Sequence, residues 1–168
     1  MNKMKKTMRW TVIIFALLFV VSQFIRPAKT NPTIDESRAL QNQVVLPAEV
    51  ESVLRRACYD CHSNDTRWPW YSHVAPVSWF VTDHVNHGRR HLNFSDWASY
   101  SRQDKALKIY LIGETVRLEA MPLSTYTILH RDARLSSTER QLLKDWARAE
   151  GERQRAQGQT AYLIKLAE

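Results

Sequence analysis

The sequence predicts an all-α domain, and three observations carry that expectation. Apolar residues recur at helical spacing in several separate stretches. No stretch alternates with period two for long, and no Asn-Gly or Asp-Gly pair marks a hairpin. The 168 residues are 44% hydrophobic, with six Trp and only four Gly, which is enough apolar material for one core.

The first element is MNKMKKTMRW followed by TVIIFALLFVVSQFI, an apolar run broken only by Thr11, Ser22 and Gln23. From Met8 to Ile25 it would make about 27 Å of helix, close to the thickness of a hydrocarbon core. Residues 1–26 are therefore expected to form a transmembrane helix. SQFIRPAKT holds no good small-x-small cleavage site, which favours an uncleaved signal anchor over a cleaved export signal. The basic start stays cytoplasmic by the positive-inside rule. The expected location is thus the bacterial cytoplasmic (inner) membrane, single-pass, with the C-terminal domain in the periplasm or on the outer face. This segment also explains the charge. Six of the seven net positive charges lie in the first thirty residues, and from Asn31 onward 18 basic residues face 17 acidic ones. A near-neutral domain has no basic stripe, so nucleic acid is not an expected partner.

Residues 27–44 are polar and lack a sustained helical period, so they read as a tether. The domain is expected over 45–150. Its first helix is LPAEVESVLRRA, with Pro47 at the entry, Glu49 and Glu51 in the first turn, and an apolar face of Val50, Val53, Leu54 and Ala57. An aromatic loop broken by Pro69 and Pro76 precedes a second helix, VSWFVTDHVNHGRRHL, weakened near Gly88. NFSDW is a turn or a new helix start, with Asn93 or Ser95 as caps. The helical stretch RQDKALKIYLIGETVRLEA is expected to stop at Met121-Pro122, because proline biases the residue before it away from helix. Ser136 to Glu139 form a capping box, opening a helix whose stripe is Leu142, Leu143, Trp146 and Ala147. Four helices are expected in the domain, and residues 151–168 read as a polar tail ending in YLIKL.

The chemistry lies in CYDCHSN, which holds the only two cysteines, Cys58 and Cys61. A thioredoxin-type redox motif would need a βαβ context, which this sequence lacks. Zinc needs four ligands, and His62 directly after Cys61 is awkwardly placed to share one tetrahedral ion with it. C-x-x-C-H is instead the attachment pattern for c-type haem. Two thiols at that spacing reach two vinyl groups on one side of a porphyrin, and the next residue turns its imidazole to the iron. Cys58 and Cys61 are then the thioether residues and His62 the proximal ligand.

The distal ligand is expected to be Met121, in the loop before Pro122. The alternative is that Met121 only fills the core. His73, His84, His87, His91 and His130 are its competitors, with His84, His87 and His91 on one helical face. Arg67, Arg89 and Arg90 are candidates for pairing with haem propionates, although each taken singly reads as a solvated charge. Trp68, Trp70, Trp79 and Trp146 are candidates for burying the haem.

The helix before CYDCH, the Met121-Pro122 loop and the closing LSSTERQLLKDWA helix resemble a small class I-type cytochrome c. More narrowly, CYDCHSNDTRWPWYSHVAPVSWFVTDHVNHGRRHLNFSDW resembles the haem-binding domain family, small bacterial proteins usually carrying one N-terminal membrane segment. The resemblance spans about residues 45–150 and implies a cytochrome c-like helical domain around one covalently attached haem c. The expected function is one-electron transfer by a carrier rather than an enzyme. Redox partner proteins and the membrane are its expected partners, with no small-molecule substrate. Two other readings stay open. One is a haem-based sensor or a ligand-binding or peroxidatic haem protein with a displaceable distal ligand. The other is a haem-stabilised interaction subunit of a membrane redox complex.

Overall fold

The computed structural model describes the backbone of residues 2–167 and the side-chain surroundings of residues 3–157. The expected all-α class holds, for among the described residues there are helices, turns and no strand. The α-helices are α1 (Asn2–Ser22), α2 (Ala48–Ala57), α3 (Tyr59–His62), α4 (Val77–His91), α5 (Arg102–Arg117), α6 (Ser124–Leu129) and α7 (Ser137–Ala167).

The core forms where α2, α5 and α7 meet. Val50, Val53, Leu54 and Ala57 are all buried on α2, as their spacing requires. They pack in one cluster with Ile109, Ile112 and Val116 of α5 and Leu143, Trp146 and Ala147 of α7, while Leu142 is partly buried beside them. Full burial of such a side chain contributes about 1.5–3 kcal/mol. Helices α5 and α7 approach closely at Gly113, where a Cβ would stand 2.9 Å from the Ala147 Cβ. The capping box opens α7 as expected: Glu139 N donates to Ser136 Oγ at 3.2 Å, and Ser136 N donates to Glu139 Oε2 at 2.8 Å. Arg56 of α2 pairs with the same Glu139, tying the first domain helix to the last. NFSDW is a new helix start capped by Asn93, as expected, but the helix is 3-10, over Phe94–Ser99, with Phe94 and Trp97 wholly buried.

Four expectations need correction. Among the described residues no helix is long and apolar enough to cross a membrane. Lys3, Lys5, Lys6 and Arg9 occupy the first turns of α1, and the helix ends at Ser22, so its charge-free part, from Trp10 on, is only about 20 Å long. Beyond Ser22 the backbone tightens to i→i+3 bonds, Gln23 N to Val20 O at 3.1 Å, and Gln23 is held by the domain: its Nε2 donates to Ala75 O, and its Oε1 accepts from Ala75 N at 2.9 Å.

The segment read as a tether also packs on the domain. Ala39 and Leu40 are buried, Arg38 pairs with Asp96 at 2.7 Å, and the Thr30 carbonyl accepts from Arg89 Nη1 at 2.6 Å. Helix α7 continues through the region read as a polar tail, and the side chains of YLIKL lie outside the described residues.

Finally, α5 ends at Arg117 rather than at Met121-Pro122. A Schellman turn stops it: Ala120 N bonds to Thr115 O at 2.9 Å and Glu119 N to Val116 O at 3.1 Å. Glu119 takes the left-handed position, with φ of 55°.

Glycine lacks the Cβ that makes that conformation costly. Glu119→Gly is therefore expected to raise stability by about 1 kcal/mol, read by thermal unfolding. At Gly88, where α4 crosses α3, a Cβ would lie 2.4 Å from Cys61 O and 3.1 Å from its carbonyl carbon. Gly88→Ala is expected to force the helices apart, at a cost of about 1–3 kcal/mol in the same measurement.

Candidate functional site

The site grows from the end of α2. That helix runs into Cys58, and the chain makes one more turn, α3, in which Cys61 N and His62 N both donate to Cys58 O. The turn brings Cys58, Cys61 and His62 onto one wall of a cavity of about 370 Å³. Met121 and Pro122 contribute from the loop between α5 and α6, so the chain gathers the four residues singled out in the sequence at one place. Ile112, Val116, Leu123 and Phe94 make much of the remaining wall apolar. A second cavity, of about 140 Å³, shares Cys61, His84, Leu123 and Tyr126 with the first.

His62 is held by two backbone carbonyls. Its Nδ1 lies 3.1 Å from Gly88 O and 3.0 Å from Leu92 O. Both partners only accept, so the proton sits on Nδ1 and the Nε2 lone pair is left free. A carbonyl on the far nitrogen is how proteins orient a metal-ligating histidine and fix its tautomer. Burial pulls the His62 pKa below its ordinary value, against the opposing effect of those two bonds, so the ring stays neutral at neutral pH. Phe94 stands edge-on to it, with ring centroids 6.1 Å apart.

Both cysteines are free thiols. Burial pushes Cys58 up to about 12, and burial with the neighbouring Asp60 carboxylate pushes Cys61 up to about 11. Among the described residues no three His, Cys, Asp or Glu side chains gather as a cage for a bare metal ion, so zinc ligation finds no partners there. Two thiols at this spacing, an imidazole with Nε2 free, a thioether and apolar walls form a donor set that fits a covalently held haem.

The competing histidines divide. His84, His87 and His91 line the cavity, from α4. The His84 Nδ1–H donates to Phe80 O at 2.9 Å, and the His87 and His91 rings are 4.3 Å apart. His73 and His130 are engaged elsewhere, against Lys29 Nζ and the Tyr71 hydroxyl.

The arginines do not line the cavity. Arg89 spends its guanidinium on Ser63 O, Thr30 O, Asn31 Oδ1 and Thr66 Oγ1. Arg67 pairs with Asp60 at 3.3 Å. The candidate tryptophans are absent from the cavity wall too. Trp70 is 79% exposed, and Trp146 is buried in the core with its indole N–H on Val45 O.

Sequence reasoning missed Gly88 and Leu92, because a backbone carbonyl's direction leaves no mark in residue type. The one signal was a glycine inside an otherwise regular helix, a sign of close approach. It also passed over Tyr126, which lines the cavity and donates to Asp60 between the two cysteines.

Comparison with known proteins agrees with this geometry. The family model described as "Haem-binding domain" matches residues 17–149. No curated protein and no solved structure matches the chain. A model that covers most of the chain, over a cavity furnished for haem, places the protein in the haem-binding domain family.

Proposed function

We propose that this protein is a monohaem c-type cytochrome that passes single electrons at the outer face of the cytoplasmic membrane, with His62 and Met121 as its iron ligands. The observation that carries this reading is that Cys58, Cys61, His62 and Met121 line one cavity. In this reading the Cys58 and Cys61 thiols would hold the haem covalently, as thioethers. His62, through Nε2, and Met121, through its thioether sulfur, would hold the iron. The bound haem supplies reversible one-electron exchange at iron, and methionine ligation favours the reduced state.

The chain's own contribution is positioning. Gly88 O and Leu92 O keep the imidazole from rotating, and Ile112, Val116 and Leu123 keep water from the cavity. With His62 and Met121 both holding the iron, no ligand position would remain for a substrate, so the reading is a carrier rather than an enzyme.

Helix α1 supports membrane attachment. Phe15, Leu17, Leu18 and Val20 are exposed, and the apolar run continues past the helix into Phe24, which is 82% exposed. Gln23, the polar interruption near its end, has its amide satisfied by Ala75, so lipid contact there would leave no amide unpaired. Four cations at the opposite end of α1 suit anionic lipid headgroups.

Three measurements test this. Haem staining after denaturing electrophoresis should show covalent attachment, lost in the Cys58→Ala, Cys61→Ala double variant. The ferric spectrum should carry the long-wavelength thioether-to-iron band. Met121→Ala should abolish that band and let the ferrous form bind CO; an unchanged spectrum would hand the distal role to His84, His87 or His91. In vesicle flotation the full chain should rise with phospholipid, whereas a chain without residues 1–22 should stay at the bottom.

A further inference from the structure

Asp60 lies between the two cysteines, and its carboxylate is almost wholly enclosed. Three donors reach it: the Tyr126 hydroxyl to Oδ2 at 2.7 Å, and Arg67 N and Nε to Oδ1 at 3.2 and 3.3 Å. Nothing in the attachment chemistry uses this residue. Tyr126 sits on α6, a single short helix that begins three residues after Met121. Its ring lies flat on His130, with centroids 4.2 Å apart and planes 13° from parallel, and His130 Nε2 is 2.6 Å from the Tyr71 hydroxyl. The phenol therefore has a fixed plane on one side and a fixed acceptor at its tip. Tyr126 is also part of the cavity wall to which Met121 belongs.

We infer that the Tyr126–Asp60 hydrogen bond is the clasp that holds the Met121 arm closed on the cavity, making both side chains positioning residues for the distal ligand. The arm needs one. On one side it leaves α5 by a Schellman turn, where Met121 N reaches Thr115 O only at 3.3 Å. On the other it enters α6, whose side chains include none that is buried. The clasp ties this thinly packed arm to the segment that carries both thioether cysteines. A neutral phenol donating to a carboxylate is the stronger, charge-assisted kind of hydrogen bond. Burial and the bond to Asp60 both raise the Tyr126 pKa, so the donor keeps its proton across the physiological range.

The inference rests on the proposed ligation by Met121, and the experiment separates the two. The full-length, haem-loaded chain is compared with Tyr126→Phe and Asp60→Asn, each checked for covalent haem. Ser136→Ala serves as a control, because it also removes a side-chain hydrogen bond (Glu139 N to Ser136 Oγ, 3.2 Å) but lies off the cavity. The readouts are the ferric thioether band and the rate at which CO enters the ferrous site. Loss of one hydrogen bond to a charged group should raise the open-arm population, and with it the CO rate, about 10- to 100-fold in Tyr126→Phe. Asp60→Asn, which keeps an uncharged acceptor, should fall in between, and Ser136→Ala should match the parent. A Tyr126→Phe protein whose band persists and whose CO rate stays within about twofold of the parent would overturn the clasp and leave Met121 ligation standing. Equal acceleration in Ser136→Ala would reduce the effect to general loosening and overturn it as well. A parent protein with no thioether band would instead refute the ligation itself.

Discussion

The close crossing of α3 and α4 at Gly88 is the contact on which the site depends. Because residue 88 has no side chain, the Cys61 backbone can settle against it. That approach brings Gly88 O and Leu92 O to the Nδ1 of His62. The same carbonyls that end α4 thus become the partners that fix the tautomer and orientation of the imidazole. Leu92 N closes the helix on Gly88 O at 2.8 Å, so one carbonyl serves both the helix end and the ring. A carbonyl has two lone pairs and can accept twice without loss. Site geometry and helix termination are therefore one packing event.

The other side of the cavity is built on different principles. Its arm comes from backbone turns rather than from a packed helix face, beginning where α5 stops at the Glu119 left-handed turn. A short helix with no buried side chain cannot hold itself in place by apolar area, so polar contacts carry more of the load there. Asp60 is well suited to that role, because its own position is set by the cysteine turn and by Arg67. The two halves of the site thus differ in kind, one fixed by backbone packing and the other latched by side chains.

The N-terminal third shows how local charge and long-range contact compete. Arg89 collects the carbonyls of Ser63 and Thr30 with two side-chain oxygens, stitching residues 30–31 to the loop after the cysteine motif. Lys29 donates to Ser72 O at 3.0 Å, and the Trp79 indole donates to Ile25 O at 2.7 Å. These bonds turn what reads as a free polar linker into a strap over the domain. They also seat the end of α1 beside the loop before α4 and that helix's first turn, where Trp70, Val77 and Phe80 are exposed.

What the sequence determined by itself was local. The C-x-x-C-H spacing, the α2 stripe and the Ser136–Glu139 capping box each depend on residues within a turn or two of one another, and covalent spacing alone sets their geometry. The all-α class was legible for the same reason, whereas Met121 was singled out only as a methionine in a loop before Pro122. Only the tertiary structure decided which carbonyls meet His62, which of the six histidines share its cavity, and that Arg89 binds backbone rather than lining the site. It also decided that α5 stops before Pro122 and that α1 yields Gln23 to Ala75. Those outcomes turn on the directions of backbone groups far apart in the chain. Residue type records whether a hydrogen bond can be made, but the packed fold selects the partner.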